Sequence, residues 1–392
     1  MKYNFDTVIE RHNTNSVKYD DLQARWGRTD LLPMWVADAD MASCPIVIDK
    51  LKERLEHPVL GYSLEPEGWR TAIQSWLSRR YRWKIEKEEL MFIPGIVRGI
   101  AFVLVHFCKP GDRVAMLSPV YMPFFDVPKA YDIEVVQSPL KLVDGRYEVE
   151  FELLDRDTRD AKFFILSNPH NPGGRVWTPE ELRCMAEICA KNNCVVISDE
   201  IHADLTLPGS VHTPFATVSD AARDNSISFL SPSKAFNIPG LASSYAVIPN
   251  KEIYKPFERF MTGGEFNIGH LFAYLAVEAA YTPEGEEWLN EFLRYIQANI
   301  DYAVDYIHRN IPGIVPMRPE ASFLIFLDCR GLGLDADGID RLFVEDVRLA
   351  LNDGRSFGPG GEGFMRMNVA CPRVTLEKAL KSLAKAVSDF NK

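Results

Sequence analysis

Paired cysteines are missing from this chain. Seven occur in 392 residues, an odd number with no Cys-x-x-Cys pair, and most sit inside apolar runs. That excludes a disulfide-stapled scaffold and predicts buried, reduced thiols. The ligand spacing of a zinc site is absent as well, so no metal is expected. No apolar run approaches the roughly 18 residues a membrane span requires. Met1 to Glu10 is polar and lacks an apolar signal core. An excess of positive charge is also lacking: 44 Lys and Arg stand against 55 Asp and Glu, a net charge of −11. Phosphate-rich partners need a basic patch, so neither nucleic acid nor an anionic membrane is an expected partner. No internal repeat is visible, and the only Gly-rich linker is Gly358-Pro359-Gly360-Gly361. What remains is an ordinary globular composition, 46% hydrophobic and 25% charged. A chain of this length can bury a large core. A soluble cytoplasmic protein is expected.

Strands and helices alternate through the middle of the chain. The pattern predicts strands over 91–93, 113–117, 133–137, 162–166, 194–198, 226–230 and 244–248. Helices are expected over 49–56, 96–108, 121–130 and 178–192, the last with Thr178 as N-cap, Pro179 in the first turn and Glu181 closing a capping box. Strands that are apolar throughout imply a mostly parallel sheet buried on both faces. Beyond about Thr282 the character changes to a long helix over 284–310, strands over 322–327 and 364–369 with a helix near 339–351 between them, and a terminal helix over 375–391. This reads as a smaller α/β unit completed by the N-terminal segment.

In parallel sheets, ligands bind beyond the carboxyl ends of the strands. The polar residues there are Gly95, Ser118, Asn168 to Asn171, Asp199 and Ser231 to Lys234. A lysine in a desolvated loop has a lowered pKa and can condense with an aldehyde; most lysines are instead solvated surface groups. Asp199, at the end of an apolar strand, needs a partner or a cleft. It could keep a pyridinium nitrogen protonated, or cap a helix. Two Asn-Pro pairs within Asn168 to Pro172 force a rigid turn that could aim the Asn171 amide into a cleft. Tyr121 and Tyr62 could be packed tyrosines, and Arg366 a structural ion pair.

The order Pro94-Gly95, Tyr121, Asn168-Pro169-x-Asn171-Pro172-x-Gly174, Asp199-Glu200, Ser-x-Ser-Lys234 and Arg366 resembles the fold-type I pyridoxal 5′-phosphate (PLP) enzymes of the class I/II aminotransferase superfamily. Within it, the chain is similar to MalY/PatB-type cystathionine β-lyases over nearly its whole length. The carriers are Pro33 to Asp38, Gly61-Tyr62-Ser63, Asp199 to Leu205, Ser233 to Leu241 and Arg366 to Arg373. The resemblance implies an α/β fold with a mostly parallel seven-stranded sheet in a large domain, 46–285. A small domain would comprise 1–45 and 286–392. It implies Lys234 as the residue that binds the cofactor and moves the proton, and Asp199 against the pyridine nitrogen. Asn171 would meet the ring hydroxyl, Tyr121 the ring face, and His202 the cofactor. Ser231, Ser233 and the backbone at Ile96 and Val97 would hold the phosphate, a natural place at a helix N-terminus. Tyr62 would reach the phosphate of a neighbouring subunit, so a homodimer with sites at its interface is implied. Arg366 would clamp the substrate α-carboxylate, with Asn171 and Ala37 also at the substrate.

Departures from the transaminase pattern are informative. Ala242 stands eight residues after Lys234, where many aminotransferases carry arginine, and His202 stands three after Asp199, where they often carry tyrosine. Both fit the β-lyase branch. Asp38-Ala39-Asp40-Met41 differs from the Asp-Met-Asp-Phe expected there and is placed at the substrate entrance. The reading is α,β-elimination of L-cystathionine or a related cysteine S-conjugate to a thiol, pyruvate and ammonia. An aminotransferase is the same-class alternative. A regulatory protein that binds a transcription factor is the alternative of another class.

Overall fold

The computed structural model describes residues 2–390. The strands are β1 (Leu32–Pro33), β2 (Leu90–Ile93), β3 (Arg113–Ser118), β4 (Glu134–Val143), β5 (Arg146–Val149), β6 (Ala161–Ser167) and β7 (Val195–Asp199). They continue with β8 (Ser226–Leu230), β9 (Ser244–Val247), β10 (Val315–Met317), β11 (Leu324–Asp328), β12 (Leu349–Ala350), β13 (Asn352–Asp353) and β14 (Phe364–Asn368).

Eight of these form one sheet in the order β2-β9-β8-β7-β6-β3-β4-β5. The four central pairings, from β8 to β4, are parallel; β2, β9 and β5 add antiparallel edges. The centre is buried because its sequences, such as Val195-Val196-Ile197 and Phe163-Phe164-Ile165, offer no polar face. The seven-strand expectation is one strand short. Asp144 (φ +49°) and Gly145 (φ +77°) occupy the left-handed region, as a tight hairpin turn requires. They fold Arg146–Val149 back on a β4 longer than the 133–137 expected.

A second sheet of order β10-β11-β14-β13 comes from the C-terminal part. The N-terminal segment joins it sideways, as β1 pairs in parallel with β12. The helix expected near 339–351 stops early. Ala336–Arg341 continues as a wide turn through Val347, and Arg348 enters the left-handed region at φ +62°. Leu349 and Ala350 are thereby released to pair with Leu32 and Pro33. The expected 178–192 helix forms over Pro179–Lys191 with both bonds of its capping box, and the long helix spans Pro283–Asn310. The last helix is described over Arg373–Phe390; the expected end at 391 lies outside the described residues.

Four helices of eight or more residues were not foreseen, Glu67–Tyr81, Phe151–Thr158, Lys251–Gly263 and Leu271–Ala280, nor were the short helices Val17–Asp20, Leu22–Trp26 and Asp220–Asp224. The helix expected over 49–56 begins at Pro45, which occupies the first helical position. All seven cysteines are free; five are buried, Cys108 is half-buried and Cys184 is exposed. Among the described residues, no helix is long and apolar enough to cross a membrane, and no cluster of metal-ligating side chains occurs.

Candidate functional site

The carboxyl ends of β6, β7 and β8 open on one cavity of about 150 Å³, lined by Ala37, Ile96, Val97, Tyr121, Ser167, Asn171, Asp199, Ile201, His202, Ser233, Lys234 and Pro239. Nine of the residues singled out from sequence are therefore brought together. Arg366 stands directly behind, bonded to Asn171. Ser231 is one layer below. Its hydroxyl donates to the Ser243 carbonyl (2.5 Å) and lies 2.9 Å from Ser233 Oγ, so it supports Ser233 and does not itself line the cavity. Tyr62 is fully exposed and lines nothing.

Lys234 follows β8 in a short turn. Its Nζ donates to the Ala37 carbonyl at 2.6 Å. Burial pulls its pKa down to about 8. The charge of Arg366 acts in the same sense, while Asp38 and Asp199 oppose the shift. Asp199 ends β7, and among the described residues its carboxylate accepts one hydrogen bond, from the Ile201 N–H (3.0 Å). Burial pushes this carboxyl up to about 7 against that hydrogen bond, Glu200 adds to the rise, and Lys234 opposes it. No cation lies within hydrogen-bond distance of Asp199 among the described residues. His202, in the turn after β7, is buried with Nδ1 unpartnered. Desolvation, then the charges of Lys234 and Arg366, lower its pKa to about 3, so the ring is neutral.

The turn after β6 aims Asn171. Ser167 Oγ accepts from the Asn171 N–H (3.1 Å), and the buried His170 ring meets the Pro119 carbonyl at 2.9 Å. Arg366 Nη1 donates to Asn171 Oδ1 (3.0 Å). That bond fixes the amide orientation and leaves the Nδ2 donor for the cavity. Arg366 Nη2 donates to the Trp35 carbonyl (3.1 Å) and Asn352 Oδ1 (2.7 Å), while Nε is buried without a partner. Among the described residues this buried guanidinium has no carboxylate partner; desolvation lowers its pKa to about 10. A structural ion pair is therefore not its role.

On the remaining side, Gly95 takes φ +119°, and the helix Ile96–Phe107 starts at the cavity. The first helical bond runs from the Gly99 N–H to the Gly95 carbonyl. The N–H groups of Ile96, Val97 and Arg98 consequently have no intrahelical acceptor and, with Ser233, form an anion cradle. A buried acid without a cation, a buried arginine without an anion, a lysine of lowered pKa between them and an anion cradle at the rim together fit PLP. Ser167 and Asn352 were missed. Ser167 could have been found as the residue that closes β6; Asn352, on a two-residue strand, carries no sequence pattern.

The family model for "Aminotransferase class I and II" matches residues 39–383. "Cystathionine beta-lyase PatB" of Bacillus subtilis is 38% identical over 98% of this chain and 100% of its own length. "Protein MalY" of Escherichia coli is 30% identical over 98% of this chain and 99% of its own. The crystal structure of the PLP-bound C-S lyase from Staphylococcus hominis superposes with a TM-score of 0.92 at 32% identity, covering 98% of each chain.

Proposed function

The chain belongs to the class I and II aminotransferase family, and from that premise we propose that it is a PLP-dependent carbon–sulfur β-lyase acting on L-cystathionine or a related cysteine S-conjugate. The observation that carries the reading is a buried carboxyl, Asp199, in the cavity that Lys234 lines, and a buried guanidinium, Arg366, directly behind it, each without an ionic partner among the described residues. The full-length relationship to PatB selects elimination over transamination.

Bound PLP supplies the electron sink that makes an α-proton acidic and lets a β-thiolate leave. The chain's own residues do the rest. Asp199 holds the pyridine nitrogen and gains there the cation its buried carboxyl lacks. Asn171 Nδ2 would donate to the ring oxygen, and neutral His202 and Tyr121 would help hold the ring. The free N–H groups at Ile96 and Val97, and Ser233, hold the phosphate. Arg366 takes the substrate α-carboxylate with its unpartnered Nε, a charge-assisted bond worth about 1.5–3 kcal/mol. Lys234 Nζ would be the base that serves the α-carbon. Its lowered pKa leaves a substantial fraction of free amine near neutral pH, able to take the α-proton.

The chain acts as a homodimer of a large domain, 46–285, and a small domain, 1–45 with 286–392. Two observations support the dimer. Val59, Leu60, Tyr62 and Leu64 form an uncovered apolar segment, and Ala242 offers no charge to the phosphate. Tyr62 from the second subunit completes that cradle. The proposed location is the cytoplasm.

Pyruvate release from L-cystathionine by cofactor-loaded protein tests the activity. Release supports the lyase. Amino transfer to a 2-oxo acid without pyruvate would replace it with the aminotransferase reading.

A further inference from the structure

Beside the cavity, residues 35–43 form a bent strap without regular secondary structure, in which the Asp38 N–H donates to the Val36 carbonyl (2.9 Å) and Ala37 lines the cavity. Four successive carbonyls of the strap, 35 to 38, are each taken by a side chain. Trp35 O accepts from Arg366 Nη2 (3.1 Å) and Ala37 O from Lys234 Nζ (2.6 Å). The carbonyls between and after them, Val36 O and Asp38 O, both accept from Asn368 Nδ2, at 2.6 and 2.7 Å. Further along, Asn237 takes both sides of Ala39. Its Oδ1 accepts the Ala39 N–H (3.0 Å), and its Nδ2 donates to Ala39 O (3.0 Å) and Met41 O (2.8 Å). Ser43 Oγ returns a bond to the Asn237 carbonyl at 2.6 Å.

The two asparagines are placed for this. Asn237 follows Lys234 by three residues, and Asn368 follows Arg366 by two on the same strand. Asn368 is buried and Asn237 half-buried; neither lines the cavity. The Asn368 amide thus holds the turn at Ala37 from both sides, and losing it would free the carbonyls of 35 and 37 to move away from both cations. The middle of the strap is pinned by charge. Arg11 bonds both Asp38 oxygens (3.0 and 2.7 Å) and Asp40 (2.7 Å), and buried Lys18 meets Asp40 at 2.8 Å.

We propose that Asn237 and Asn368 are positioning residues that fix the register of the strap, and through the carbonyls of Ala37 and Trp35 place Lys234 Nζ and the Arg366 guanidinium relative to each other. This rests on the reading of Lys234 as the cofactor lysine. The charged and titratable groups that face Lys234 are Asp38 from the strap, Asp199 from β7, His202 from the turn after it and Arg366 from β14.

The test uses Asn368→Ala and Asn237→Gly. Asn237 has φ +54°, which glycine tolerates, so that variant removes three bonds without straining the backbone. Two readouts are taken beside turnover. One is the pH midpoint for acylation of Lys234 in the cofactor-free full chain, with Lys234→Ala as the blank. The other is the pH midpoint of the visible absorbance of bound cofactor. Losing the Ala37 acceptor and loosening Asp38 removes groups that favour the ammonium, so the acylation midpoint falls in both variants. Turnover falls on the order of 10- to 100-fold, as misplacement of about an ångström does. Variants that melt earlier yet keep both midpoints and turnover would overturn the proposal and leave the asparagines structural. If wild-type chain binds no cofactor at Lys234, the functional reading itself has failed, a separate outcome visible in the wild-type absorbance alone.

Discussion

On one side of the cavity, Asn171, Asp199 and Lys234 follow three neighbouring strands, β6, β7 and β8, whose pairing is set by buried apolar side chains. On the other, Arg366 and the strap 35–43 meet through amide and carbonyl bonds. The first wall is held in place by the core. The second is held by a few polar side chains at defined distances. The comparison teaches where each kind of damage should appear: losses on the strand side change chemistry or global stability, and losses on the strap side change alignment.

The largest expected effect is on the strand side. Lys234→Ala should lower turnover by about 10³-fold or more while the protein stays folded, the scale expected for a general base that also holds the cofactor. Next, Arg366→Lys keeps the charge but loses the planar fork. The KM for the amino-acid substrate should rise on the order of 10- to 100-fold, read from steady-state kinetics. A rise below about threefold would mean that the guanidinium does not hold the carboxylate, and the two walls would not differ as described.

Asp199→Asn in the cofactor-free chain probes the electrostatic cost of the strand side. Burial pushes the folded carboxyl up to about 7 from its ordinary 3.8. A raised pKa contributes stability that is complete below about pH 4 and lost as the pH climbs through about 7. The asparagine variant should therefore unfold at higher denaturant than wild type at pH 8, by on the order of 4 kcal/mol, and match it at pH 4. An equal gap at both pH values would contradict the assignment. The smallest effect is Thr178→Ala, which removes the capping box of Pro179–Lys191 and should cost about 1 kcal/mol in denaturant unfolding without changing turnover.

The two walls also differed in how legible they were in the sequence. Strands such as Val195–Asp199 and Ser226–Leu230 announce themselves as apolar runs, and the polar residue that ends each run falls at the ligand edge. That rule picks out Asp199 and the stretch Ser231 to Lys234 as candidates, and the role of Lys234 came with the family resemblance. The helix Lys251–Gly263 escaped because Pro256 interrupts its pattern, and Leu271–Ala280 because it is apolar almost all round. The strap has no period to read. Its bonds join Asn237 to Ala39, 198 positions apart, and Asn368 to Val36, 332 apart. Such contacts exist only once both sheets are assembled. The family resemblance supplied the role of Arg366, but not its lack of an ionic partner, which only the assembled site shows.

The most direct test of the central claim is the product balance from L-cystathionine with wild-type, cofactor-loaded protein and Lys234→Ala side by side. The account predicts pyruvate, ammonia and the released thiol in equal amounts from the wild type, and none above background from the variant. Pyruvate formed equally by both, or a cofactor-bearing wild type that forms none, would contradict it.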